Sequence, residues 1–239
     1  SLKDRGTEIV SPILKSDEQS SKDIYLMCGL AKEVGGKASE RCGGHVHIGA
    51  NYLQTEGAFE RLLELWGNTE EIIFKISNSE GDISRKGAIK QYAMPNSKKI
   101  EEFIEQGTVN LSNEKDLYEF SKDINKHLEN LRYYALNTTN IGSAKNTIEF
   151  RLSNGTLDPD TWIQNVNLYG GIISAAERIA TIYKKQGEGQ ELTENEVKDL
   201  TDFEKLKIKD IDEREKLDSL LSLVVNEENT KKENESDDE

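Results

Sequence analysis

The hexapeptide Thr147-Ile148-Glu149-Phe150-Arg151-Leu152 constrains the fold more than any other stretch of the chain. Side chains on a strand alternate faces with a period of two. Ile148, Phe150 and Leu152 therefore share one face, and Glu149 and Arg151 share the other. An apolar sheet face left in water would invite aggregation, so helices must cover it. The charged face is then the open one. Gly43-Gly44-His45-Val46-His47-Ile48-Gly49 obeys the same arithmetic, with His45 and His47 on one face and Val46 and Ile48 on the other. The flanking glycines permit close backbone approach. A third strand-like piece, 8–10, lies in Thr7-Glu8-Ile9-Val10-Ser11-Pro12.

Helical spacing supplies the cover. Ile24, Met27, Cys28 and Ala31 recur on one face of a helix over 23–34 that Gly35-Gly36 ends. Phe59, Leu62, Leu63 and Trp66 repeat the pattern, which continues through Ile72, Ile73 and Ile76 after a break at Gly67. Leu117, Phe120, Ile124, Leu128 and Leu131 mark a third helix. A fourth begins at Asp158-Pro159, an N-cap followed by a first-turn proline, and carries Trp162, Val166, Tyr169, Ile173, Ala176, Ile179 and Tyr183. Val197, Leu200, Phe203 and Leu206, then Leu217, Leu220, Leu221 and Val224, describe a packing pair with a break near 209–212. Strands and helices do not alternate one for one, so the expected class is α+β, an antiparallel sheet with helices packed on one face.

Charge narrows the function. The 239 residues carry a net charge of −14, which disfavours binding a nucleic-acid backbone or an anionic membrane by general electrostatics. The stretch 226–239, NEENTKKENESDDE, holds seven acids, two bases and no apolar residue, and reads as a disordered acidic tail. No apolar run approaches the roughly 20 residues of a membrane span. The two cysteines make no disulfide framework, so a cytoplasmic location is expected.

The three strand pieces together offer Glu8, His45, His47, Glu149 and Arg151. Carboxylates and imidazoles can bind Mg²⁺ or Mn²⁺, and a guanidinium beside them can hold a phosphate. A hydrogen-bonded histidine pair and a cross-strand salt bridge account for the same residues.

EIVSPIL, CGGHVHIG, RYYALN and TIEFRLSNGTLDPDTW, in that order from Thr7 to about Trp162, resemble the amidoligase family. These are carboxylate–amine ligases with a glutamine synthetase-like catalytic fold. The resemblance implies ATP-dependent formation of an amide or isopeptide bond through an acyl phosphate, with Mg²⁺ or Mn²⁺ as cofactor. The substrates would be small-molecule or peptide carboxylates and amines. By resemblance, Glu8, His45 or His47, and Glu149 are cation ligands at the floor of the sheet, and Arg151 contacts transferring phosphate or the activated carboxylate. Asn137 and Arg85 join the catalytic set, and Tyr92 joins Arg151 in binding the nucleotide. Lys86 and Lys90 could also face phosphate, though they read more readily as solvated lysines. The family's domain begins with an earlier strand carrying an E-x-E pair, and nothing upstream of Thr7 matches it. The expectation is therefore an N-terminally incomplete catalytic domain over 1–190, a helical extension over 191–225 and the tail over 226–239.

Three rivals remain. A zinc-binding module could use Cys42, His45 and His47 with Cys28, but the spacing lacks the paired C-x2-C of structural sites. A barrel-type metal hydrolase would need further histidines and βα repetition; only His127 remains. A degenerate metal- or nucleotide-binding domain, or a catalytically incomplete fragment, would keep the fold and lose the reaction. There is no P-loop and no G-x-G-x-x-G.

Overall fold

Among the described residues, three short strands form an antiparallel sheet in the order β1 (Val46–Gly49), β3 (Thr147–Phe150), β2 (Leu136–Asn137). The structure is a computed structural model and describes residues 6–39, 42–78, 92–106 and 117–225. Register pairs Val46 with Phe150, His47 with Glu149 and Ile48 with Ile148, while on the other side Leu136 faces Phe150 and Asn137 faces Glu149. Beyond the strands, Gly44 N–H donates to the Ser153 carbonyl at 2.8 Å and Arg151 N–H to that of Ala135 at 2.8 Å.

Seven α-helices are seen among the described residues: α1 (Glu18–Glu33), α2 (Ala58–Ser77), α3 (Ser97–Glu105), α4 (Leu117–His127), α5 (Pro159–Gly187), α6 (Glu194–Leu206) and α7 (Glu213–Val224). The Asp158 side chain caps α5, accepting from Thr161 N–H at 3.1 Å. Thr193 and Glu196 form a reciprocal capping box at α6. The architecture is therefore the expected α+β class.

The core lies between the apolar sheet face and the α2–α5 pair. Phe150 stacks on Tyr169 of α5 at 4.5 Å between centroids and meets Trp66 of α2 edge-on at 5.8 Å. Ile148, Phe150 and Leu152 are fully buried, as are Leu62, Trp66 and Ile173. Phe203 and Leu206 of α6 and Leu220, Leu223 and Val224 of α7 belong to the same core. Gly171 marks the tightest approach of α7 to α5. A Cβ there would meet the Val224 carbonyl oxygen at 2.7 Å as well as its side chain. Gly171→Ala should therefore lower stability by about 1–2 kcal/mol in urea titrations, because overpacking against backbone outweighs the roughly 1 kcal/mol gained in helix propensity.

Several sequence expectations change. Residues 8–10 are not a strand; 6–15 carry neither helix nor strand, and Ile9, Val10 and Ile13 are exposed. A strand forms only where its backbone groups meet a ladder, and no strand of the sheet pairs with this segment. Helix α2 runs through Gly67 without a break. One interior glycine costs about 1 kcal/mol, less than the burial that Ile72 and Ile73 gain by staying in phase. Helix α4 stops before Leu131, because Glu129 and Asn130 take left-handed backbone with φ 58° and 53°. Of the face read for α1, only Cys28 is buried. The short strand β2, inside RYYALN, was not anticipated. The stretch 226–239 lies outside the described residues.

Candidate functional site

Register brings the polar residues together. His47 and Asn137 flank Glu149 from the two neighbouring strands, and Arg151 follows Glu149 by one full period on the same face. The Glu149 carboxylate is buried at 4% exposure, and its environment decides what it can do. Oε1 receives the Arg151 guanidinium through Nη1 at 2.5 Å and lies 3.3 Å from His45 Nδ1 and 3.5 Å from His47 Nε2. Oε2 accepts from Asn137 Nδ2 at 2.6 Å. Burial alone would raise the pKa of this carboxyl. The hydrogen bond from His47, the charge of Arg151 and the bond from Asn137 outweigh burial and bring it down to about 2. Glu149 is therefore a buried anion at neutral pH.

Each neighbour is itself held. Asn137 Oδ1 accepts from Thr139 N–H at 3.0 Å and from Thr139 Oγ1 at 2.8 Å, which points its amide at Glu149. His47 Nδ1 lies 3.0 Å from Thr147 Oγ1, so the ring bridges Thr147 and Glu149. Arg151 donates through Nε to the Tyr92 carbonyl at 2.9 Å, and its guanidinium sits 5.8 Å from the Tyr133 ring centroid. The segment at Tyr92 is fixed by Met94, which exchanges backbone hydrogen bonds with Tyr133 and Ala135, both at 2.8 Å. The histidine side chains remain about one-third exposed, 32% for His45 and 35% for His47. They form the mouth and Glu149 the floor.

Five of the candidates thus meet: His45, His47, Asn137, Glu149 and Arg151. Tyr92 joins through its backbone carbonyl, while its ring packs edge-on against Tyr133 at 5.7 Å. Glu8 is exposed, in the segment without strand structure. Arg85 lies outside the described residues, as do Lys86 and Lys90. The Glu149–Arg151 ion pair is made along the chain, at the end of β3, while His45 and His47 approach the same carboxylate from the β1 side. Thr147, Tyr133 and Thr139 were not foreseen. The parity of position 147 with 149 and 151, and of 133 with 137, was the signal available.

Gly44 approaches the Trp162 ring so closely that a Cβ would overlap it, as the flanking glycines suggested. Among the described residues, no group of three or more His, Cys, Asp or Glu side chains is arranged to hold a metal ion. Cys28 and Cys42 form no disulfide, and among the described residues neither belongs to a group arranged to hold a metal ion. Magnesium is commonly held by one or two carboxylates and completed by substrate phosphates rather than by an all-protein cage. The Glu149 carboxylate and the two partly exposed imidazoles are the donors here that an ion arriving on a nucleotide would meet. A separate cavity of about 280 Å³ is lined by Glu177, Arg178, Thr181, Glu196 and Asp199; none of the Glu149 cluster lines it. No helix among the described residues is long and apolar enough to cross a membrane.

The model of a family described as "putative amidoligase enzyme" matches residues 2–173. That span contains both the sheet and the Glu149 cluster. No curated protein and no solved structure matches.

Proposed function

The chain belongs to the amidoligase family, and on that premise we propose an ATP-dependent carboxylate–amine ligase on a glutamine synthetase-like sheet. The observation that carries this reading is the ionised Glu149 at the floor of a polar sheet face, held from three strands. A carboxylate is a poor acyl donor because its leaving group would be oxide. Transfer of the γ-phosphoryl group of ATP to a substrate carboxylate oxygen releases ADP and creates a phosphate leaving group. An amine then attacks the acyl carbon, loses a proton, and expels phosphate as the amide forms.

The protein's share is positioning and charge stabilisation. Glu149, with His45 and His47, would hold Mg²⁺ or Mn²⁺ carried by the nucleotide. Bound there, the ion would neutralise phosphate charge. Arg151 keeps Glu149 in place through Nη1 and Nε is committed to Tyr92. Its Nη2 is the nitrogen left for the transferring phosphoryl group. Asn137 fixes the second carboxylate oxygen, and the Tyr92 segment borders the nucleotide. Amino acids, peptides or peptidoglycan-like material are the substrate class. The location proposed is the cytoplasm, where ATP is supplied and two unpaired thiols persist.

ADP release that requires both a carboxylate and an amine, in the presence of Mn²⁺, is the expected result with a panel of amino acids and short peptides. A single-turnover burst of ADP with the acid alone is the acyl-phosphate step itself; sustained ADP release with the amine alone, or none with acid and amine together, would sink the reading. A second reading, a binding domain without turnover, is favoured by one observation. Glu8, the carboxylate the ligand set would need from the first strand piece, stands in solvent. Mn²⁺–ATP binding without ADP release would establish that alternative.

A further inference from the structure

Arg151, the arginine that the TIEFR motif offers for an anion, is largely occupied by protein. Its side chain is 10% exposed, with one nitrogen on Glu149 and another on the Tyr92 carbonyl. A second guanidinium meets the aromatic ring that Arg151 also faces. Arg132 sits over the Tyr133 ring at 5.1 Å from the centroid, and that same ring is 5.8 Å from the Arg151 guanidinium. Arg132 is exposed, and among the described residues it pairs with no carboxylate; its one hydrogen bond runs from Nη2 to the Tyr133 hydroxyl at 3.2 Å.

The backbone presents this side chain deliberately. Two successive left-handed residues, Glu129 and Asn130, turn the chain sharply after α4. Lys99 holds the turn through Glu129 at 3.2 Å. Tyr133 is then fixed by its edge contact with Tyr92 and by the Met94 hydrogen bond to its carbonyl. The bond to the Tyr133 hydroxyl favours the charged form of Arg132, and the Glu149 carboxylate is near enough to favour it further.

We infer that Arg132, oriented by Tyr133, is an anion-binding residue at the mouth of the Glu149 site, taking the oxyanion of a substrate phosphate or carboxylate in its guanidinium fork. The inference rests on the proposed ligase only for the identity of the anion. A guanidinium fork matches two oxygens of either group, and a cation there would offset the negative charge that Glu149 brings to the site. Arg132 leaves four of its five donors for such a ligand.

The test is calorimetric titration of pyrophosphate, L-glutamate and Mg²⁺–ATP into the wild-type chain and Arg132→Ala, with thermal melting as a control for folding. The expected result is unchanged melting and binding weakened about tenfold or more. Loss confined to pyrophosphate and ATP assigns the fork to phosphate; loss confined to L-glutamate assigns it to a carboxylate. Equal affinity of both proteins for all three probes, or no binding of any probe by the wild type, overturns the inference. The two readings separate cleanly. Weakened binding without ADP release leaves the Arg132 site standing and removes the ligase, whereas ADP release with unchanged KM values in Arg132→Ala does the reverse.

Discussion

Glu149→Ala should lose about 3–5 kcal/mol of folding stability at pH 7, the cost of leaving a buried guanidinium without its partner. The side chain removed is the one on which Arg151, Asn137 and His47 all converge. ADP release should fall to background in the same variant, and in Glu149→Gln, whose neutral amide cannot balance Arg151. The pH dependence separates an ion pair from simple packing. The Glu149 pKa is lowered in the fold to about 2. Its contribution is therefore complete above the unfolded value near 4.3 and is lost as pH falls through about 2. The gap between wild-type and variant urea midpoints should be wide at pH 6 and shrink steadily below pH 4. A gap of constant width from pH 7 to pH 2.5 would mean that Glu149 is not held as an anion.

The second large effect comes from the opposite face of the same strand. Phe150→Ala should cost about 3–5 kcal/mol, because an aromatic deletion in a packed core leaves a cavity that its neighbours fill only in part. Phe150 is sandwiched between Tyr169 of α5 and Trp66 of α2, both fully buried. Ile148→Val, one methylene smaller on the same face, should cost only about 0.5–1.5 kcal/mol. Equilibrium unfolding in urea measures both. A loss below 1 kcal/mol for Phe150→Ala would show that the sheet is not the floor of the core. Because Phe150 lies directly between Glu149 and Arg151 in sequence, its loss should also loosen the ion pair and weaken Mn²⁺–ATP binding.

Much of this site was legible in the chain, and the failures have physical causes. Period-two alternation told which face of 147–152 would be charged, and 45–48 gave the same answer. Asp158-Pro159 marked the start of α5 because capping is settled by the residue and its next three neighbours. By contrast, the segment around Glu8, with β-branched Thr7, Ile9 and Val10, has strand propensity but stands without a ladder. Propensity over three residues is too weak to order a segment by itself. Gly67 looked like a helix stop for a related reason: a local cost of about 1 kcal/mol is overridden when α2 has a continuous apolar face to bury.

The sequence by itself determined which side chains could share a face, since the alternation of a strand is a property of neighbouring residues. It determined too that Ile148, Phe150 and Leu152 needed a cover of helices. Only the tertiary structure decided that His47 would lie beside Glu149, about a hundred residues away along the chain, and that Arg151 would be held on Glu149 and Tyr92 while Arg132 stood open over the Tyr133 ring. Those pairings depend on strand register and on how the turn at Glu129-Asn130 returns the chain to the sheet. Register is chosen by the burial of the whole apolar face at once, so no short stretch of sequence contains it.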